Sequence, residues 1–136
     1  MILFVDDELR RMESVVEQLE MDGLRVHTAP GVDQALAALH NDKGEIDFVI
    51  LDIMMDLGST LEHEDTEEGL RTGVHLFERI RKVKPTVPVM VLTNADDVRL
   101  EEHFSKEPRT RFFQKRSLLP QDVAPQVREM MRDDEW

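Results

Sequence analysis

The chain has 136 residues, of which 40% are hydrophobic and 34% are charged, and it contains no cysteine. This composition is typical of one globular domain that can bury a core, and it excludes disulfides, thiol nucleophiles and thiolate metal sites. The formal net charge of -12 argues against direct nucleic-acid binding, which depends on lysine and arginine contacts to phosphates. No apolar run approaches the ~20 residues of a membrane span, so we expect no membrane insertion and a cytoplasmic location.

Short apolar runs and helical periodicities alternate along the whole chain. Apolar runs predict strands over residues 2–5, 47–51 and 87–92. The alternating residues 24–28 predict a less buried strand at an edge, and residues 110–114 a last strand. Apolar residues at helical spacing predict helices over about 9–22, 32–41, 73–83, 95–105 and 120–132. Five repeats of strand then helix predict an α/β fold, with one parallel sheet covered by helices on both faces.

The stretch at about 56–72 is polar, strongly acidic and without clear periodicity. We predict it to be an extended acidic loop within a single domain that spans residues 1–136. Connections in α/β units usually run about 2–6 residues, so a loop of this length is either functional or disordered. Its composition favours a solvated insertion over a segment that binds a partner or a second cation.

Polar side chains stand where four of the predicted strands end. Asp6 and Asp7 follow the first strand, Asp52 the third, Thr93 the fourth and Lys115 the fifth. In a parallel sheet these ends lie on the same rim, and open α/β sheets bind their ligands outside that rim. Alone, Asp52 is as readily a helix cap or a turn residue as a functional group. The joint placement of these residues indicates a functional site.

Three carboxylates brought close together repel one another unless cations lie between them. Lys115 supplies one cation, and an all-oxygen ligand set favours Mg²⁺, Ca²⁺ or Mn²⁺ as the second, with Mg²⁺ suiting a site that keeps many waters. A metal, a lysine, a hydroxyl and a nucleophilic carboxylate make a phosphoryl-transfer set. Attack by the carboxylate on phosphorus gives an aspartyl phosphate.

Four segments carry a resemblance that covers essentially all of residues 1–136. They are Phe4-Val5-Asp6-Asp7-Glu8, Val49-Ile50-Leu51-Asp52-Ile53-Met54-Met55, Val89-Met90-Val91-Leu92-Thr93 and Phe112-Phe113-Gln114-Lys115. With these segments the chain resembles the response-regulator receiver domains of two-component signalling, the CheY-like family. The resemblance implies a doubly wound, flavodoxin-like (βα)5 domain whose five-stranded parallel sheet has the order 2-1-3-4-5.

The resemblance also implies a role for the residues at the rim. Asp52 is the phosphoacceptor, which receives a phosphoryl group from a histidine kinase or a phosphotransfer protein, and Thr93 and Lys115 bind that group. Such a domain is a signalling phosphoacceptor that assists its own phosphorylation and dephosphorylation, and we do not expect it to be an enzyme.

The same resemblance implies a metal site and a switch. Mg²⁺, with Mn²⁺ as an alternative, is held by side chains of three acids and by one backbone carbonyl, from Asp6, Asp7, Asp52 and Met54. Thr93 and Phe112 form the switch. It acts on a downstream protein through the last two helices and the strand between them, and the family leaves a homodimer open.

Three positions depart from the family pattern. Arg116 stands where the family usually has a proline, often after a cis bond, and we expect a trans bond because a cis bond before a non-proline residue costs ~2.5–4 kcal/mol. Asp56 stands where the family often has proline, and Asn94 where it prefers a very small residue. Asn94 therefore affects access of phosphodonors and water to Asp52, and Arg116 affects the direction of Lys115.

These departures keep an alternative open: a receiver-like interaction module that signals without phosphorylation. The intact set of acids argues against it. A phosphatase with an aspartyl nucleophile is a third interpretation. Such enzymes typically carry an acid two residues after the nucleophile, and here that position is Met54.

Overall fold

A computed structural model describes residues 1–53, 72–94 and 98–132, and of residue 72 only the backbone. The elements of these residues, in chain order, are β1 (Ile2–Val5), α1 (Glu13–Met21), β2 (Val26–Ala29), α2 (Val32–His40), β3 (Phe48–Leu51), α3 (Thr72–Val83), β4 (Val89–Thr93), α4 (Val98–Ser105), β5 (Thr110–Gln114) and α5 (Pro120–Arg132). Short 3₁₀ turns precede α1 at Leu9–Met12 and follow β5 at Lys115–Ser117.

The five strands form one parallel sheet in the order β2-β1-β3-β4-β5. The predicted α/β class and the strand order 2-1-3-4-5 are therefore confirmed. All residues of β1, β3 and β4 are buried, because these inner strands are covered by helices on both faces.

Alternate residues of each inner strand face opposite halves of the core. On one face, Leu51 belongs to a cluster that includes apolar residues of α2, α3 and α4. On the other face, Ile50 belongs to a cluster with apolar residues of α1 and α5. The helices that were predicted from apolar spacing therefore sandwich the sheet, and its rim stays open for polar groups.

The second strand begins later than predicted, at Val26 instead of residue 24. The reason is the end of α1, where the N–H of Gly23 donates to the Glu20 carbonyl and that of Leu24 to the Leu19 carbonyl. This pair of bonds is a Schellman motif, and Gly23 adopts the positive φ of 86° that it requires. Leu24 completes the helix cap and therefore cannot start the strand.

Other boundaries differ by smaller amounts. The predicted first helix begins as a 3₁₀ turn before continuing as α1, and β4 starts at Val89, directly after Pro88. α4 is described from Val98, since residues 95–97 lie outside the described part. Residues 56–71 of the predicted acidic loop also lie outside the described residues, whereas Thr72 already belongs to α3.

Gly73 explains how α3 starts close to the end of β3. A Cβ at this glycine would lie 2.1 Å from the Cα of Ile53, so only glycine allows the approach. The Gly73 N–H also donates to the Ile53 carbonyl at 3.3 Å. This contact fixes the chain immediately after Asp52.

Candidate functional site

The backbone of the sheet holds two acids in place at the rim. The N–H of Asp52 donates to the Val5 carbonyl at 2.9 Å, and the N–H of Asp6 donates to the Ala29 carbonyl at 3.1 Å. Ladder hydrogen bonds thus continue one residue beyond β3 and β1. Both carboxyl groups leave the sheet from a rigid position, and both residues are buried.

The Asp52 carboxylate lies between a hydroxyl and an ammonium group. Thr93 Oγ1 donates to Asp52 Oδ1 at 2.9 Å, and Lys115 Nζ donates to Asp52 Oδ2 at 3.3 Å. Lys115 Nζ also lies 2.8 Å from Asp6 Oδ2. The structure therefore brings together side chains from the ends of β1, β3, β4 and β5, as the sequence predicts.

Lys115 remains charged in this environment. Burial by itself lowers the pKa of the Lys115 ammonium, but its contacts with Asp6 and Asp52 outweigh that effect and raise the pKa above its usual value. A permanent positive charge at this point partly neutralises two buried carboxylates, which would otherwise be costly to bury.

Asp6, Asp7 and Asp52 offer carboxylate oxygens that all lie within 4.8 Å of one another. Asp6 Oδ1 accepts a hydrogen bond from the Glu8 N–H at 2.7 Å, whereas the buried Asp6 Oδ2 receives no hydrogen bond of good geometry despite its ion pair. The cluster has three carboxylates, of which Asp6 and Asp52 contact the one ammonium group, and hard oxygen ligands suit a divalent cation. These residues fit Mg²⁺ or Mn²⁺, and the Met54 carbonyl lies outside the described residues.

The residue after Lys115 does not disturb its direction. Among the described residues there is no cis peptide bond, so the predicted trans bond between Lys115 and Arg116 is confirmed. Lys115 reaches both acids even though the usual proline is absent. Arg116 itself is exposed in the 3₁₀ turn.

Phe112, the predicted switch residue, is partly buried on β5 and packs against the cluster under α3 and α4. Its ring stacks on Phe104 with centroids 6.1 Å apart, and Phe104 meets Phe77 edge-on at 5.1 Å. Its role in switching stays a prediction.

Sequence reasoning missed a groove beside the site, with a volume of about 330 Å³. It lies between the turn before α1 and the turn after β5, and its lining includes Arg11, Met12, Asn94, Lys115, Arg116 and Leu118. The departures at Asn94 and Arg116 were the available signal. Only the fold shows that both residues line one groove with Arg11.

The fold and the rim of acids, hydroxyl and lysine define a CheY-like α/β signalling domain. Residues 2–121 match the response regulator receiver domain family, and the chain belongs to that family. Domains of this family are phosphoacceptors of two-component phosphorelay signalling that work with histidine kinases or phosphotransfer proteins, and they are not enzymes in the usual sense.

Two curated relatives are the transcriptional regulatory proteins GlrR of Escherichia coli K12 and QseF of Escherichia coli O157:H7. Each is 32% identical over 92 residues, which cover 68% of this chain but only 17% of the relative. Their activities as whole proteins therefore do not carry over to this chain.

Solved structures show the same fold over nearly the whole chain. A two-component response regulator from Clostridium difficile superposes with a TM-score of 0.77 at 18% identity, covering 99% of this chain and 98% of its own. The receiver domain of NtrX from Brucella abortus gives 0.76 at 22% identity, with coverages of 98% and 100%. A receiver domain protein from Clostridium thermocellum gives 0.71 at 26% identity, with coverages of 96% and 92%. No helix among the described residues is long and apolar enough to cross a membrane.

Proposed function

We propose that this chain accepts a phosphoryl group on Asp52 from a phosphohistidine of a kinase or phosphotransfer protein, with Mg²⁺ as cofactor. The observation that carries the proposal is the pair of contacts at the Asp52 carboxylate, Thr93 Oγ1 at 2.9 Å and Lys115 Nζ at 3.3 Å. The adjacent acids Asp6 and Asp7 support it, because they place further oxygen ligands beside the acceptor.

The reaction forms a bond between an Asp52 carboxylate oxygen and phosphorus and breaks the phosphorus–nitrogen bond of the donor. The electron pair of the broken bond stays on the imidazole nitrogen, which leaves neutral when its other nitrogen carries a proton. Mg²⁺, held by Asp6, Asp7, Asp52 and the Met54 carbonyl, would neutralise charge on the phosphoryl oxygens. Thr93 and Lys115 give up their bonds to Asp52 and donate to two phosphoryl oxygens instead.

The charge of the phosphoryl group drives the change in conformation. A phosphoryl group brings almost two negative charges and three acceptor oxygens, and these draw Thr93 and Lys115 toward it. Movement of Thr93 opens space beside β5, and the Phe112 ring turns inward into that space. Both movements shift the population of the domain toward an active form. The face formed by α4, β5 and α5 then binds a downstream protein or a second copy of this chain, in the cytoplasm.

Intact-mass measurement tests the proposal. We expect the wild-type protein to gain one phosphoryl group on incubation with acetyl phosphate or phosphoramidate and Mg²⁺, and to gain none when the metal is chelated. Asp52→Asn should gain none under any condition. Asp47→Asn removes an exposed acid at the opposite end of the same strand, so this control should be labelled like the wild type.

An unlabelled wild-type protein would contradict the proposal. If beryllofluoride also left its spectra unchanged, that result would favour the interaction module that signals without phosphorylation. Thermal unfolding of Asp52→Asn distinguishes loss of the acceptor from loss of the fold.

A further inference from the structure

Three phenylalanine rings from three different elements pack against one another on one face of the sheet. They are Phe77 of α3, Phe104 of α4 and Phe112 of β5, and we call them the phenylalanine stack. The rings of Phe104 and Phe112 are nearly parallel, with an interplanar angle of 19° and centroids 6.1 Å apart, and Phe104 meets Phe77 edge-on at 5.1 Å. Both arrangements are favourable for aromatic pairs. The middle ring therefore connects the predicted switch residue to α3.

The α3 end of the phenylalanine stack is held firmly. Phe77 is buried, and the Arg81 guanidinium carbon lies 5.2 Å from the centre of its ring. The Arg81 side chain also donates to the Val87 carbonyl and to Thr110 Oγ1, which ties α3 to the segments at the starts of β4 and β5. Phe77 thus presents a fixed surface to Phe104.

The β5 end of the phenylalanine stack has more freedom. Phe112 is only partly buried, whereas Phe104 is fully buried. Phe112 pairs with Val91, and Thr93 follows two residues later on the same face of the sheet. In the proposed inward turn the Phe112 ring rotates toward Thr93, and it then leaves its parallel position against Phe104.

Helix α4 depends on the middle ring for its place on the domain. Phe104 is the only buried residue of α4, and Leu100 is half-buried against the same cluster. All other residues of α4 are exposed. Burial of apolar surface is the main force that packs a helix onto a domain, so the packing around Phe104 decides how firmly α4 is held.

We propose that Phe104 is a positioning residue that holds Phe112 in its resting position, and that the inward turn of Phe112 loosens α4 while α3 stays in place. The inference rests on the proposed phosphorylation of Asp52 and concerns its regulation. The parallel contact between Phe104 and Phe112 is present in the resting form and lost in the active form. It therefore opposes activation by the free energy of one aromatic pair.

The first test measures the affinity of the full chain for beryllofluoride in the presence of Mg²⁺, by calorimetry. Beryllofluoride serves as a noncovalent analogue of the phosphoryl group. Phe104→Leu removes the aromatic contact from the resting form, so an analogue that favours the active form should bind more tightly. We expect about two- to tenfold tighter binding, the factor that corresponds to one aromatic pair. Phe77→Leu removes only the edge-on contact and should have a smaller effect.

A matched control comes from the same strand. Phe113 follows Phe112 on β5 but packs against the cluster on the opposite face of the sheet. Phe113→Leu should lower stability and change the affinity for beryllofluoride by less than about twofold. A double-mutant cycle tests the pair directly: in a Phe112→Leu background, Phe104→Leu should no longer tighten binding, because its partner ring is already gone.

The second test needs only the wild-type protein, so it does not depend on the folding of any variant. Hydrogen exchange, followed by mass spectrometry, reports how readily each helix opens. On addition of beryllofluoride and Mg²⁺, the amides of α4 should exchange faster, while those of α3 should keep their rate.

The outcomes distinguish this proposal from the one on which it rests. If acetyl phosphate labels the wild type but Phe104→Leu binds beryllofluoride no more tightly, the role of Phe104 is overturned and phosphorylation of Asp52 stands. An equal gain in Phe113→Leu, additive effects of Phe104→Leu and Phe112→Leu, or unchanged exchange in α4 would overturn it as well. A wild type that acetyl phosphate does not label and beryllofluoride does not bind would overturn phosphorylation of Asp52, and this coupling with it.

Discussion

At the scale of single residues, the site holds the Asp52 carboxylate with the same two groups that would bind the phosphoryl group in the proposed reaction. Thr93 Oγ1 and Lys115 Nζ both donate to Asp52 before any phosphoryl group is present. Burial of a carboxylate is tolerable here because both of its oxygens have donors. The positions of those donors are therefore fixed in advance, and their bonds to Asp52 would have to be exchanged during the proposed reaction.

This arrangement predicts the effect of removing one donor. Thr93→Val keeps the shape of the buried side chain but loses the hydroxyl, so Asp52 Oδ1 loses that bond and a phosphoryl oxygen loses a donor. We expect phosphorylation by acetyl phosphate to slow about tenfold or more, as when a donor to developing negative charge is removed. Thr93→Ser keeps the hydroxyl and should retain a rate close to the wild type.

Mass spectrometry under the conditions used for Asp52 measures both variants. Equal rates for Thr93→Val and Thr93→Ser would contradict a role for the hydroxyl. Thermal unfolding of both variants shows whether a slow rate comes from a damaged core instead.

At the scale of elements, Arg81 connects α3 to the segments at the starts of β4 and β5, at the end of the sheet away from the site. Its Nη2 donates to Thr110 Oγ1 at 3.1 Å and to the carbonyls of Pro108 at 3.0 Å and Arg109 at 3.2 Å. Its Nη1 donates to the Val87 carbonyl. Arg109 has a positive φ of 53°, which is uncommon outside glycine, and the bond to its carbonyl helps to hold that turn.

Arg81→Met should therefore loosen the starts of β4 and β5 together. Partly buried and exposed carbonyls would lose charge-assisted hydrogen bonds. Each such bond is worth about 1.5–3 kcal/mol and they are not additive, so we expect the free energy of unfolding to fall by about 3 kcal/mol. Urea denaturation measures it. Lys82→Met on the exposed side of the same helix should change stability by less than about 0.5 kcal/mol. Similar losses in the two variants would disprove the role of Arg81.

The sequence predicts the bounds of an element well where local contacts set them, and poorly where contacts with other elements set them. The apolar runs of β1 and β3 place these strands correctly to within one residue, because a buried strand needs little more than a continuous apolar segment. The start of β2 was predicted two residues early, since Leu24 is taken by a Schellman motif that propensity does not reveal. Gly73 is similar: its approach to Ile53 is a tertiary contact that no local pattern predicts.

The site follows the same division. Asp6, Asp52, Thr93 and Lys115 could be placed on one rim from the sequence, because parallel strands bring their carboxyl ends together whatever the side chains are. The groove could not, since Arg11 and Arg116 come from distant turns that only the packing of α1 against α5 brings near. Parallel strand direction is thus predictable from the sequence where turn geometry is not.

At the scale of the whole molecule, one rim of the sheet carries the site and the opposite ends of the strands are held by ion pairs. Asp42, between α2 and β3, lies 2.7 Å from Lys84 Nζ, just past α3, and its side chain is 3% exposed. Asp42 Oδ1 also accepts the N–H groups of Glu45 at 2.8 Å and Ile46 at 3.1 Å. This one carboxylate therefore joins the ends of two helices on the same face of the sheet.

The Asp42 pair predicts how stability depends on pH. The close contact with the Lys84 ammonium is the main cause that lowers the pKa of the Asp42 carboxyl from 3.8 to about 2. Burial opposes this shift, and the N–H groups of Ile46 and Glu45 assist it. A lowered pKa stabilises the fold above pH 3.8, and that stability is lost as the pH falls toward 2. Urea denaturation between pH 5 and pH 3 should therefore show a smaller loss of stability in Asp42→Asn than in the wild type. At neutral pH, after screening by solvent, the ion pair should contribute about 1 to 2 kcal/mol to the free energy of unfolding. The exposed acid Glu17 provides the control, because Glu17→Gln should leave the acid slope of the wild type unchanged. Parallel slopes for the wild type and Asp42→Asn would mean that other carboxylates govern acid unfolding.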